Sequence, residues 1–359
     1  MKAVFRVDAS LEMGSGHVMR CLTLAGELSR RGFECSFISR RQSGDLTDTI
    51  KAHGYVVHEL PESEITTDTY LTHGHWLKGG QQRDARETEA VLENLIPDWL
   101  VVDHYGIDEV WERQLRGYVK KILVIDDLAD RKHDCDVLID QNLGQESTMY
   151  RPLVSKGCLI LTGCLYALLR SEFIDYRQSS LEYRKGKTQI DRVLVTMGGV
   201  DKDNHTEKAL NALTLSTLDD KTEVKVVLGK EAPWFAEVKK QAEKSRLNVQ
   251  VKSNVSNMAE LMSQSDFAIG AAGSTSWERC CLGLPTLMCV LADNQRGIAE
   301  ALMQSGAAVF VAEDVENLRL EINRFKQSSQ KLELISAQAA SLVDGLGTER
   351  VATEMEKIL

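Results

Sequence analysis

Long uninterrupted apolar stretches are missing from this 359-residue chain; no run approaches the roughly eighteen residues that a membrane helix needs. An excess of positive charge is missing too. With 43 Lys and Arg against 53 Asp and Glu, the formal charge is -10, which argues against sequence-independent nucleic-acid binding, because such binding needs a basic face to displace counterions. A local basic pocket for a phosphate is still compatible with that balance. No two of the eight cysteines are spaced as C-x-x-C, and Cys21, Cys35, Cys135, Cys158, Cys164, Cys280, Cys281 and Cys289 lie in apolar segments, so buried free thiols are expected. The opening segment, Met1 to Asp8, carries Arg6 and Asp8 and lacks the sections of a signal peptide. A cytoplasmic location is the expectation. No low-complexity segment interrupts the chain.

What is present is 43% apolar residues, ample for globular packing, in a chain long enough for two domains of ordinary size. "KAVFRVD", "FECSFIS", "GYVVHEL", "DWLVVD", "KKILVID" and "DVLID" alternate with helical patterns such as "QQRDARETEAVLENL". This alternation of apolar runs and helices predicts a parallel sheet covered on both faces. After "CLILTG" the pattern pauses in the polar, charged segment Arg170 to Lys187, read as a helix and linker between domains, and it restarts with "DRVLVTMGG", "EVKVVLG", "LNVQVKSN", "DFAIGAAG", "PTLMCVL" and "AAVFVA". The fold class expected is α/β, with two doubly wound Rossmann-like domains facing a cleft: residues 1–165, a linker over 166–189, and residues 190–359. Ligands of such sheets lie beyond the carboxyl ends of the strands, so the glycine turns that follow the first strand of each half are the places to look.

In the first half, "DASLEMGSGHVMRC" places Gly14 and Gly16 ahead of a helix whose first-turn amides are free. The positive end of the helix dipole at His17 disfavours imidazolium, so the ring there can take a proton and act as a general base beside an anion cradle. A helix-capping or partly buried histidine fits the same spacing. A dinucleotide fingerprint does not, because Met19 stands where a small residue is needed and "FECSFISRRQ" offers arginines where a ribose-binding acid belongs.

In the second half, "GAAGSTSWERCCLGLP" brings Gly273, Ser274 and Thr275 to a strand-to-helix turn suited to a pyrophosphate. Glu278 follows one helical turn later, where its carboxylate can accept from both ribose hydroxyls. A capping box of Thr275 with Glu278 uses the same residues. Gly198 and Gly199 after "VLVTM" would bring a second close-approach backbone to that sheet edge. Weaker signals are Asp103, His104 and Tyr105 in "VVDHYG", the acids of "IDDLADR", which lack further ligands at metal spacing, and His73 and His75 in "THGHW", read as a polar loop. There is no G-x-S-x-G nucleophile elbow and no cysteine beside a basic partner.

Taken in order, "RVDASLEMGSGHVMRCLTLA", "VVDHYGID", "VIDDLADRKHDCDVLIDQN", "YALLRSEF", "LVTMGGVD", "GAAGSTSWERCCLGLP" and "DNQ" resemble the UDP-2,4-diacetamido-2,4,6-trideoxy-β-L-altropyranose hydrolases of pseudaminic acid biosynthesis over essentially the whole chain. That family is similar in turn to two-Rossmann-domain (GT-B type) glycosyltransferases. The resemblance implies a hydrolysis with neither cofactor nor metal, in which water displaces UDP with inversion and His17 is the general base. It implies substrate contacts from Asp8, Gly14, Ser15, Gly16, Arg20, Tyr105, Arg170 and Asn294, and nucleotide contacts from Gly198, Gly199, Gly273, Ser274, Thr275 and Glu278. One departure is "TGCLYALL", which has no glycine-proline before the tyrosine. The partner expected is a UDP-sugar, with no nucleic acid and no membrane. Two rival readings are a glycosyltransferase that passes the sugar to an acceptor and a non-catalytic nucleotide-sugar sensor.

Overall fold

The computed structural model describes the chain apart from residues 65–69, 230, 231 and 313 and the side chain of Asn294. The chain divides into two units, Met1–Leu168 with Leu346–Leu359, and Leu169–Gly345.

The first unit runs β1 (Lys2–Val7), α1 (Gly16–Arg30), β2 (Glu34–Arg40), α2 (Thr47–Ala52), β3 (Val56–Leu60), α3 (Gly80–Leu95), β4 (Trp99–Asp103), α4 (Glu109–Leu115), β5 (Lys121–Ile125), β6 (Val137–Asp140), α5 (Ser147–Tyr150) and β7 (Leu159–Thr162). The seven strands form a parallel sheet in the order β3-β2-β1-β4-β5-β6-β7. Alternation along β1 shows why the sheet needs cover on both faces. Ala3, Phe5 and Val7 enter one core with Val18, Cys21, Ala25 and Leu28 of α1, while Val4 enters the other with Leu100, Val102 and Trp111. Arg6, on the face of Val4, is wholly buried and is neutralised by Asp8 and Asp84 at 2.6 Å each. An unpaired charge at that depth would cost several kcal/mol, of the order of 3–5.

The second unit runs α6 (Ser171–Arg184), β8 (Arg192–Thr196), α7 (His205–Leu215), β9 (Glu223–Leu228), α8 (Phe235–Ala242), β10 (Asn248–Ser253), α9 (Met258–Ser263), β11 (Phe267–Ala271), α10 (Thr275–Cys281), β12 (Thr286–Cys289), α11 (Arg296–Gln304), β13 (Val309–Phe310), α12 (Val315–Gln327) and α13 (Ser329–Leu342). Its six-stranded parallel sheet has the order β10-β9-β8-β11-β12-β13.

The partition corrects the expected boundaries in two places. The segment 166–189, read as a helix and linker between domains, does hold a helix, α6, but that helix is part of the second unit: Ser180 and Arg184 donate to the carbonyl of Leu282, and Arg184 also donates to those of Met262 and Ser265. The last helix, α14 (Gly347–Ile358), belongs to the first unit, where Val351, Ala352 and Met355 complete the core under α1.

In each sheet the first strand stands beside the fourth, β1 by β4 and β8 by β11, with the second and third strands on the other side. The connections therefore leave in opposite directions from those two neighbours, and the loops at their carboxyl ends splay apart. That switch point is where a doubly wound sheet binds ligands. Both glycine turns singled out in the sequence follow these strands.

Candidate functional site

At the first switch point, Gly14 takes φ +75°, a conformation that L side chains rarely adopt, and its amide donates to the Ser10 carbonyl at 2.9 Å. This tight turn delivers Ser15 and Gly16 to the start of α1. His17 and Arg20, three residues apart, then share one helix face. Both are buried, and both meet Asp103, the last residue of β4. His17 Nδ1 lies 2.6 Å from one Asp103 oxygen, while Arg20 Nε and Nη2 reach the carboxylate at 2.6 and 2.7 Å.

Burial pushes the Asp103 carboxyl up, but Arg20 and then His17 outweigh it and hold the group well below the usual carboxylate range. Asp103 is therefore an acceptor only, and the His17 proton must sit on Nδ1. Nε2 is left to accept, and it makes no hydrogen bond among the described residues. The carboxylate thus selects the tautomer a general base needs.

Tyr105 follows β4 and packs edge-on against the His17 ring, with centroids 4.6 Å apart. Its hydroxyl donates to Asp127, after β5, at 2.6 Å; Arg20 Nη1 donates to the same oxygen at 2.5 Å. Trp76 stacks on Tyr105 at 5.7 Å and His73 on Trp76 at 4.5 Å, so "THGHW" forms an aromatic wall beside His17. His75 bonds Glu12 at 2.8 Å. The side chains of His75 and Glu12 both remain exposed, as a polar loop expects, while His73 is partly packed against Trp76.

Of the residues expected at this site, His17, Arg20 and Tyr105 come together and Asp8 does not. Its carboxylate is 1% exposed and receives Arg6 at 2.6 and 2.8 Å and the Arg40 amide at 2.8 Å, with His104 Nε2 at 3.4 Å. Asp8 ties β1 to β2 from inside and has no surface to offer a ligand. Arg20 likewise spends its guanidinium on Asp103 and Asp127 and organises the site from within.

At the second switch point, Gly198, in the left-handed region at φ +92°, and Gly199 follow β8, while Gly273, Ser274 and Thr275 follow its neighbour β11. Ser274 makes no side-chain cap to α10. Arg279 instead braces the loop from inside, donating to the Ala271 carbonyl at 2.7 Å and Ser276 Oγ at 3.0 Å. The Glu278 carboxylate lies 3.8 Å from Arg170 Nη2 and is 19% exposed. Burial pushes it up to about 7, with Arg170 and then Arg279 pulling the other way. The Asn294 side chain lies outside the described residues.

Asp103 and Asp127, weaker signals in the sequence, were left out of the expected contacts, and Gly229 was not singled out at all. Asp103 and Asp127 end or follow strands, the position that flags them in "VVDHYG" and "IDDLADR". Gly229 follows β9, and a Cβ there would stand 1.9 Å from the Gly199 carbonyl oxygen. Its requirement is invisible without the fold. The acids of "IDDLADR" are taken up by donors: Asp126 by Arg131 at 2.7 Å and the Ala129 amide at 3.0 Å, Asp127 by Arg20, Tyr105 and Asn142. Among the described residues no group of three or more His, Cys, Asp or Glu is placed to hold a metal ion, and no helix is long and apolar enough to cross a membrane.

Residues 192–346 match the glycosyltransferase family 28 C-terminal domain. The chain is similar over 86% of its length to the UDP-2,4-diacetamido-2,4,6-trideoxy-beta-L-altropyranose hydrolase of Campylobacter jejuni, at 29% identity and covering 98% of that protein. It is 28% identical to an uncharacterised protein of Methanocaldococcus jannaschii over 82% of its own length, and spans 57% of that longer chain. Among solved structures, MurG of Acinetobacter baumannii superposes with a TM-score of 0.73 over 99% of both chains at 15% identity. The two parallel α/β units are thus of the GT-B type.

Proposed function

We propose that the chain hydrolyses a UDP-linked 2,4-diacetamido-2,4,6-trideoxy sugar to free sugar and UDP, as a step in pseudaminic acid formation. The observation that carries the reading is the His17–Asp103 pair at 2.6 Å with Nε2 left to accept. Water gives its proton to Nε2 as its oxygen bonds to the anomeric carbon. The bond from that carbon to the β-phosphate oxygen breaks, its electron pair leaves with UDP, and attack from the opposite face inverts the centre. Imidazolium forms next to the Asp103 carboxylate, which stabilises it as the charge appears. Gly14, Ser15 and Gly16 would lie along the sugar, with Tyr105 beside it.

The nucleotide would rest on the second unit, with Gly198, Gly199, Gly273, Ser274 and Thr275 near the pyrophosphate and Glu278 accepting from the ribose. Arg170, next to Glu278, would steady a phosphate, and Asn294 would contact the sugar. Asp126 and Asp127 are already bound to cationic and neutral donors, which supports a hydrolysis without a metal. The similarity to the Campylobacter hydrolase supports the choice of sugar.

The match to a glycosyltransferase domain favours a second reading, transfer of the sugar to an acceptor. Incubating the protein with a panel of UDP-linked acetamido sugars and nothing else separates the two, with products followed by NMR. Hydrolysis gives UDP and free sugar whose first-formed anomer is inverted. Intact substrate, or release only when an acceptor is added, would overturn it.

A further inference from the structure

We propose that Asp127 is a positioning residue for this chemistry: it shares the Arg20 guanidinium with Asp103 and anchors the Tyr105 phenol, and so governs the charge that faces His17. The proposal rests on His17 acting as the base; the titration of the His17 ring is read independently of turnover.

Asp127 is 13% exposed and all its polar partners converge from the site. One oxygen accepts from Arg20 Nη1 at 2.5 Å and from Tyr105 Oη at 2.6 Å, and the other from Asn142 Nδ2 at 3.2 Å. Burial, then Asp127, raises the Tyr105 phenol well above its ordinary range, so the phenol keeps its proton and directs it at Asp127. What Tyr105 can show a substrate is then a lone pair, fit to accept from an amide N–H or a hydroxyl.

The charge balance gives Asp127 a second effect. The groups that face His17 are Arg20 on its own helix, Asp103 and Tyr105 from β4 and its loop, and Trp76 and the titratable His73 from the neighbouring turn, with Arg20 Nη2 only 3.4 Å from Nδ1. Asp140, at the end of β6, interacts with Asp127 from behind. With His17 neutral, Arg20 stands against two carboxylates, Asp103 and Asp127, and a negative charge is left over to stabilise imidazolium. Without Asp127, Arg20 and Asp103 cancel, and the guanidinium beside Nδ1 opposes protonation of the ring.

In the full-length chain, the His17 ring is titrated by NMR, its signal assigned by its loss in His17→Ala. Asp127→Asn is expected to move the His17 midpoint to lower pH by about half a unit or more, and to reduce turnover of the UDP-sugar about tenfold or more with uridine affinity unchanged. Tyr105→Phe removes a donor from Asp127 and leaves its charge less neutralised, so the midpoint should move the opposite way, upward. That variant also serves if Asp127→Asn fails to fold. Opposite shifts cannot come from a general loss of stability. A midpoint that stays put in the folded variants, or moves up in Asp127→Asn, overturns the proposal. If the shifts occur but no UDP-sugar is hydrolysed by the unaltered chain, the hydrolase reading fails, and with it the positioning role in that reaction; only the control of the His17 charge by Asp127 stands.

Discussion

Under the proposed ribose contact, Glu278 carries opposing demands in a single side chain. Burial holds it neutral up to about pH 7, yet only the ionised group can accept from two hydroxyls at once. Uridine, whose phosphate-free form removes a confounding titration, should therefore bind more tightly at pH 8 than at pH 6, with the dependence lost in Glu278→Gln; calorimetry at the two pH values checks it. The same shift has a stability cost. The unfolded carboxyl ionises near its ordinary value and the folded one near 7, so stability falls as pH rises between them, by up to about 3 kcal/mol. Glu278→Gln should thus gain thermal stability relative to the unaltered chain on going from pH 5 to pH 8 while binding uridine more weakly. At Asp103 the demand is on a proton's position. The amide introduced by Asp103→Asn can donate to Nδ1 and trap the proton on Nε2, so kcat should fall by about 10²–10⁴ with KM little changed. Steady-state kinetics on folded protein would show it; equal losses in kcat/KM and stability alone would point to a packing role.

The elements carry the site because of where the strands end. The β1–α1 and β11–α10 turns were legible in the sequence as glycines between an apolar run and a helix, and the structure sets both at switch points. Asp103 was harder to weigh. An acid closing a strand reads equally as a helix cap, and only the packing of α1 against β4 brings His17 and Arg20 onto it. Asp8 misled for the converse reason: it follows β1 in the same motif as His17, but its carboxylate turns inward to Arg6 and the Arg40 amide. Gly229 had no local signal, since its need for a bare Cα comes from Gly199 on a loop thirty residues earlier in the chain. Gly229→Ala should push the Gly198–Gly199 loop off its path. The expected result is a stability loss of about 1–3 kcal/mol and weaker UDP binding, read by denaturant titration and calorimetry. Unchanged UDP affinity would detach that loop from the nucleotide.

For the molecule as a whole, two successive βα series were readable because the inner strands of a covered parallel sheet are near-continuous apolar runs, as in β4, β5 and β11. The return of the chain end was not readable, because α14 is an ordinary amphipathic helix whose pattern says what it buries and not against which sheet. Met355 is fully buried in the first unit's core. Met355→Ala should therefore cost about 2–5 kcal/mol of that unit's stability and leave intact the uridine binding proposed for the second unit, a combination that hydrogen exchange and calorimetry together would test.

The most direct test of the account is His17→Ala, supplied with the UDP-linked diacetamido sugar and with water as the sole acceptor. UDP release should fall by about 10²–10⁴ while the affinity for UDP stays within about twofold. Turnover near the rate of the unaltered chain would show that the proton of the attacking water goes elsewhere, and would contradict the account at its centre.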